Sequence, residues 1–256
     1  MGYPSQLALT DRDLIYVMDA LRTSPDQRAA VGRALRQDAE IREAMLSDPR
    51  VHDAIVLDPA VLMGISAQLL FAVLLFRVRN ELAETSYTIE AAGAGQTAVF
   101  DSSRVSEFMH QGGVTRYLLG VLTSFVRIEH TPYRHANADG TFALRRVSSF
   151  DLEGLIAYCA ELVEQERFAT YRQIVDLCLF MAGGTLGDEA HGFPLQVWED
   201  RGVEFYALAA RHRQAQRAAM ASTLQALSDD FSLALEPLRL LFSGYLGSLR
   251  NHLFQT

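Results

Sequence analysis

The chain has 256 residues, 49% of them hydrophobic and 21% charged, which is enough apolar material for a full core and excludes the low-complexity and disordered classes. Its formal charge is −8, and all 23 basic residues are arginine. Without a lysine these residues hold no P-loop ATPase, no kinase phosphate lysine, no pyridoxal Schiff base and no Ser-x-x-Lys hydrolase; the acidic total argues against a surface that coats nucleic acid or anionic membrane.

An arginine-only basic complement fits a GC-rich bacterial genome. Cys159 and Cys178 sit among apolar neighbours in helical patterns and read as packed, reduced thiols. The first ten residues lack the basic start and continuous apolar stretch of a signal peptide, so a cytoplasmic location is expected.

The N-terminal quarter predicts short helices with strong start signals. Thr10 with Asp13 opens the first, Ser24-Pro25 the second, and Asp48-Pro49 and Asp58-Pro59 open later ones, each placing a capping side chain ahead of the helix. Residues 1–62 are expected to form a short-helix region packed on a main helical domain, 63–256, that folds as one cooperative unit. Its centre is the stretch at about 65–87. From Leu69 to Phe76 every residue except Ala72 is large and apolar, so a helix there has no polar side and must be wrapped by others. Gly64, Ser66 and Gln68 interrupt the run and Arg77 and Arg79 close it, which leaves it short of the roughly 20 residues a bilayer needs. Arg79, Asn80, Glu81 and Glu84 are expected to carry its far end to the surface.

Two hairpins are predicted, at about 87–100 and 132–147. In the first, Gly93-Ala94-Gly95-Gln96-Thr97-Ala98 fits G-x-G-x-x-A, but a dinucleotide site also needs a helix starting in the motif and a parallel sheet. The second has Asp139-Gly140 at its turn. Between them, Asp101 caps a helix through His110, Gly112-Gly113 breaks it, and a second helix runs from Val114 to Glu129. Helices over 151–167, 168–181, 195–212 and 223–254 complete the chain, with Pro237 kinking the last or restarting it. The fold class expected is mainly α: a multi-helix orthogonal bundle around a central buried helix, with one or two small β-hairpins.

Charge is unevenly spread. From Arg104 to Arg146, six arginines stand against Glu107, Glu129 and Asp139, a local +3 in a chain of −8. Arg116, Thr123 and Arg127 share the polar face of the second helix, and Arg134, Arg145 and Arg146 lie on the second hairpin. These six residues form the candidate surface for a partner or an anion. The leading expectation is a non-enzymatic helical interaction or regulatory protein that binds a protein partner or itself through this face. A helix pair followed by a hairpin also suggests a winged-helix nucleic-acid-binding regulator. No membrane partner is expected.

The third reading is a metal-dependent enzyme. Glu107-Phe108-Met109-His110 places a carboxylate and an imidazole on one helical face, as di-iron bundles require, though no second such step exists. Glu107 and His110 would hold iron or manganese under that reading alone; otherwise no cofactor is expected. In spacing, Arg104 and His110 also resemble the arginine–histidine pair of HEPN-type ribonucleases. That likeness covers two residues and implies shared handling of a phosphate, with Val105 standing where the family has a polar residue. No Ser-His-Asp order, C-x-x-C or HExxH occurs, so the balance leans away from an enzyme.

Overall fold

Side-chain caps start four of the first five helices in the computed structural model, which describes residues 7–84, 88–92, 95–100, 102–126, 129–136, 141–184 and 193–247. Thr10 and Asp13 close a capping box on α1 (Asp11–Ala20). Ser24 precedes α2 (Pro25–Gln37) without a side-chain bond, its proline supplying the fixed φ. Asp38, Asp48 and Asp58 cap α3 (Ala39–Leu46), α4 (Pro49–Val56) and α5 (Pro59–Gly64). Asp38 was not among the predicted start signals, since it is followed neither by a proline nor by an acidic residue three positions on.

Contacts divide the chain into two compact units, Gly2–His110 with Pro237–Thr256, and Gln111–Glu236. The first is built on α6 (Ala67–Glu84), where Leu69, Val73, Leu74, Leu75 and Val78 are all buried. Residue 62 is not a boundary, because α3 and α4 bury their apolar faces on α6 and α1 packs on α4. The far end of α6 reaches solvent as expected at Ala83 and Glu84, while Arg77, Arg79 and Glu81 before them are half-buried and engaged. Arg79 lies over the Phe76 ring and pairs with Glu43, and Glu81 accepts from both Arg77 and Tyr245. Among the described residues no helix is long and apolar enough to cross a membrane.

Asp13 holds two helix starts together. One carboxylate oxygen accepts from the Thr10 amide at 2.8 Å and the other from the Ser66 amide at 2.8 Å, while Ser66 Oγ caps α6 at the Leu69 amide. The carboxylate is fully buried, so Asp13→Ala strips the acceptor from two partly buried amides and removes a helix cap, and should lower stability by roughly 1–3 kcal/mol. Urea unfolding checks this. A loss no larger than that of a surface aspartate such as Asp26 would show the clamp to be idle.

Strands β1 (Thr88–Ala92) and β2 (Gly95–Phe100) pair antiparallel, which removes the parallel context a dinucleotide fingerprint needs; Gly93 and Ala94 lie outside the described residues, as does Asp101. Helix α7 (Ser102–His110) ends the first unit's N-terminal segment.

The second unit opens at the predicted break. Gly113 has φ +92°, a left-handed conformation that favours glycine, and precedes α8 (Val114–Ser124). The expected continuation of α8 to Glu129 does not occur. Thr123 and Ser124 hydroxyls bond back to the Leu119, Gly120 and Val121 carbonyls, and Phe125 leaves the helix to stack on Phe180 at 4.5 Å.

After the hairpin of β3 (His130–Ala136) and β4 (Phe142–Ser148), α9 (Leu152–Glu161) stops six residues before the predicted end. Leu162 and Val163 turn extended, and Arg167 Nε donates to the Leu162 carbonyl at 2.8 Å, fixing the corner before α10 (Arg167–Gly184).

Helices α10 and α11 (Leu195–Arg211) form the main packed pair, with Tyr206 and Trp198 buried. Short α12 (Arg213–Arg217) follows, then α13 (Ala221–Asp229) and α14 (Phe231–Leu240). The interruption falls at Asp230, not Pro237. Pro237 sits inside α14, which passes into a π-helical turn at Leu241–Leu246. A proline withholds one ladder donor, and widening of the following turn is how a helix absorbs such a defect. The fold is mainly α with two antiparallel hairpins.

Candidate functional site

The β3–β4 hairpin is held by one of its faces. Register pairs Thr131 with Val147, Tyr133 with Arg145 and Arg134 with Leu144, so Tyr133, His135, Arg145 and Val147 share one face. Helix α9 covers that face. Gly154 sits so close that an added Cβ would stand 3.0 Å from Val147, Tyr158 packs on Tyr133 with centroids 4.6 Å apart, and Glu161 meets His135 Nδ1 at 2.6 Å. These three α9 positions recur at helical spacing, so one stripe of α9 is spent on the hairpin. The opposite face is left outward: Leu144 is 72% exposed, and Pro132 and Arg146 are exposed.

Of the predicted partner-binding residues, Arg116 is exposed on α8, and Arg145 and Arg146 are exposed on β4. None of the three has a hydrogen bond or ion pair among the described residues. Of the other exposed arginines, Arg36 pairs with Asp11, Arg50 with Asp48 and Arg201 with Glu204, while Arg22, Arg33, Arg211, Arg213 and Arg217 likewise have no ion pair among the described residues. Arg134 stands across from Leu144 in the register. Thr123 is half-buried and its hydroxyl donates to the Leu119 and Gly120 carbonyls of its own helix. Arg127 lies outside the described residues, as does the Asp139-Gly140 turn. The root of the hairpin adjoins the end of α8, since Phe125 contacts Phe150 at 5.2 Å and both rings meet Phe180.

Sequence reasoning missed a buried polar cluster in the same unit. The Tyr117 hydroxyl on α8 donates to Asp176 Oδ1 on α10 at 2.6 Å. The Arg172 guanidinium lies 5.9 Å from the Tyr117 ring, and Tyr206 of α11 meets that ring edge-on at 6.0 Å. Burial pushes the Tyr117 phenol well above its ordinary range, and the Asp176 charge pushes it further, partly offset by Arg172. No local spacing announces this group, because Tyr117 and Asp176 are 59 residues apart.

Glu107 and His110 are both exposed on α7, and His110 Nδ1 is 2.7 Å from the Ser106 carbonyl of the preceding turn. Among the described residues no group of three or more His, Cys, Asp and Glu side chains could hold a metal ion. Arg104 is also exposed on α7, and six helical residues turn it roughly 120° away from His110. His212 is a structural histidine. Its Nε2 donates to the Glu164 carbonyl at 2.8 Å, and its Nδ1 accepts from the Gln214 amide to cap α12. Cys159 and Cys178 are free and buried, and burial raises both thiols. The first unit holds an apolar cavity of about 80 Å³ lined mainly by aliphatic side chains, including Val17, Val51, Ile55 and Leu69.

These observations define a mainly α protein that presents an arginine-bearing hairpin packed on helix α9. Comparisons with family models, with curated proteins and with solved structures found no match.

Proposed function

We propose that this protein acts by association: a helical interaction or regulatory module that binds a protein partner, or itself, through the surface carrying Arg116, Arg145 and Arg146. The observation that carries the reading is that these three exposed guanidinium groups have no ion pair among the described residues, and that Arg146 shares the outward face of the hairpin with a Leu144 that is 72% exposed. An exposed guanidinium with an apolar neighbour is the usual currency of a contact surface, because arginine keeps its donors in a planar fork and sheds water more readily than an ammonium.

The triple variant R116A/R145A/R146A tests it. Affinity capture with wild-type and variant baits, with sedimentation velocity of each, should show a bound species or oligomer that the variant loses. The melting temperature should move by no more than about 1–2 °C, as surface substitutions do. A drop of many degrees would make the arginines structural and remove the proposal. Binding that carries nucleic acid and falls steeply with added salt would replace it with the nucleic-acid reading.

A further inference from the structure

The hairpin has two outer edges, and they differ. The Ser149 amide donates to the Glu129 carbonyl at 2.9 Å, which makes 129 and 149 a hydrogen-bonded pair one step beyond the ladder. Bonding alternates along an antiparallel pair, so Val147, Arg145 and Ala143 turn their backbone groups toward β3, while Ser148, Arg146 and Leu144 turn theirs outward. Two further facts agree. The Ser148 carbonyl is taken by the Asp151 amide at 3.1 Å, outside the ladder. Pro132 pairs with Arg146, a position where its missing N–H falls on the outer edge of β3 and withholds no ladder bond.

Proline therefore blunts the β3 edge, while β4 keeps the outward amides and carbonyls of Leu144 and Arg146. Among the described residues no third strand pairs with β4. We infer that the β4 edge accepts an extended segment of an acidic protein partner as an added strand. This rests on the reading of the arginine surface as a contact surface and names the chemistry of its partner.

Charge selects the occupant. Arg145 and Arg146 are consecutive, so they project from opposite faces of the strand. A strand added antiparallel then meets both only with two consecutive acidic residues, followed by an apolar residue opposite Leu144. Opposite charges directly across strands are favourable and like charges are not. Two β4 edges paired across these arginines would set guanidinium against guanidinium, which disfavours a second copy of this chain. Main-chain bonds supply the grip, and the alternating side chains supply the selection.

The probe is a fluorescein-labelled peptide, Thr-Val-Glu-Glu-Ile-Thr-Val, titrated against the full chain by anisotropy beside its Lys-Lys counterpart and a version N-methylated at alternate amides. The acidic peptide should bind, the lysine peptide should not, and N-methylation should abolish binding. Hydrogen exchange should slow at the Leu144 and Arg146 amides. R145A/R146A should weaken binding about tenfold or more. L144P removes only an outward donor, so it should abolish binding with the arginines intact. If L144P and the N-methylated peptide bind as well as wild type while R145A/R146A does not, strand addition is wrong and the arginine surface survives. If the arginine variant also binds normally, both fall. A homodimer lost in L144P, or displacement of the peptide by a single-stranded oligonucleotide with binding indifferent to L144P, would likewise overturn the acidic-strand assignment.

Discussion

With aspartate in place of Leu74, the unit built on α6 does not fold. Leu74 is fully buried between Val73 and Leu75, themselves closed to solvent, in a helix contacted by α3, α4, α7 and the π-helical turn. Removing the leucine from such a site costs roughly 2–5 kcal/mol. A carboxylate left there without a partner adds several more. Their sum consumes the roughly 5–15 kcal/mol by which a domain is stable. Far-UV circular dichroism should show the loss of helix, and trypsin should cut rapidly at Arg77 and Arg79, which the folded chain keeps half-buried. Leu74→Met, which conserves volume, should cost less than about 1.5 kcal/mol. A wild-type melting curve for Leu74→Asp would end the account of α6 as a core element.

Asp176→Ala should be nearly as damaging to the second unit. It removes the acceptor of the Tyr117 hydroxyl and a negative charge near Arg172, both in a buried setting. Deleting one member of a buried charged group costs about 3–5 kcal/mol, because the remaining charge stays desolvated. Tyr117→Phe should cost less, roughly 1.5–3 kcal/mol, since it withdraws one donor from a carboxylate.

The same phenol gives a pH signature. Burial and Asp176 raise Tyr117 in the folded chain, so its contribution is intact below the ordinary tyrosine value of 10.0. Above that pH the unfolded chain releases a proton that the folded chain keeps. Stability therefore falls as pH rises, by about 1.4 kcal/mol per pH unit for each such group. The buried thiols of Cys159 and Cys178 are raised from 9.0 in the same way, which starts the decline near that pH. Urea midpoints measured across the alkaline range should fall less steeply above pH 10.0 for Tyr117→Phe than for wild type. Equal slopes would mean that this phenol does not stay protonated in the folded state.

How far the fold was legible depends on the range over which each signal acts. Helix starts were legible because a cap and the amides it serves lie within three residues, as at Thr10, Asp48 and Asp58. The burial of α6 was legible because eight consecutive positions offer no polar side to water. Both hairpins showed in alternation and turn residues. Helix ends were less legible: α8 ends at Ser124 because Phe125 finds Phe180, and α9 ends at Glu161 because the chain turns at Leu162.

For the candidate site, the charge of Arg116, Arg145 and Arg146 could be counted in advance, and their exposure follows from the cost of burying an unpaired guanidinium. Which strand edge stays open could not be counted. It depends on the pairing of Glu129 with Ser149 and of Pro132 with Arg146, across a turn whose register no local residue announces.

Composition and short-range chemistry thus settle the α-rich class, the absent lysine chemistries, the helix starts and the oily centre, since each depends on neighbours within one or two turns. The Asp13–Ser66 clamp, the Tyr117–Asp176 bond and the α9 support beneath the hairpin arose only when segments about 20 to 60 residues apart met. Partners so distant are chosen by packing across the core, and packing leaves no periodic trace along the chain.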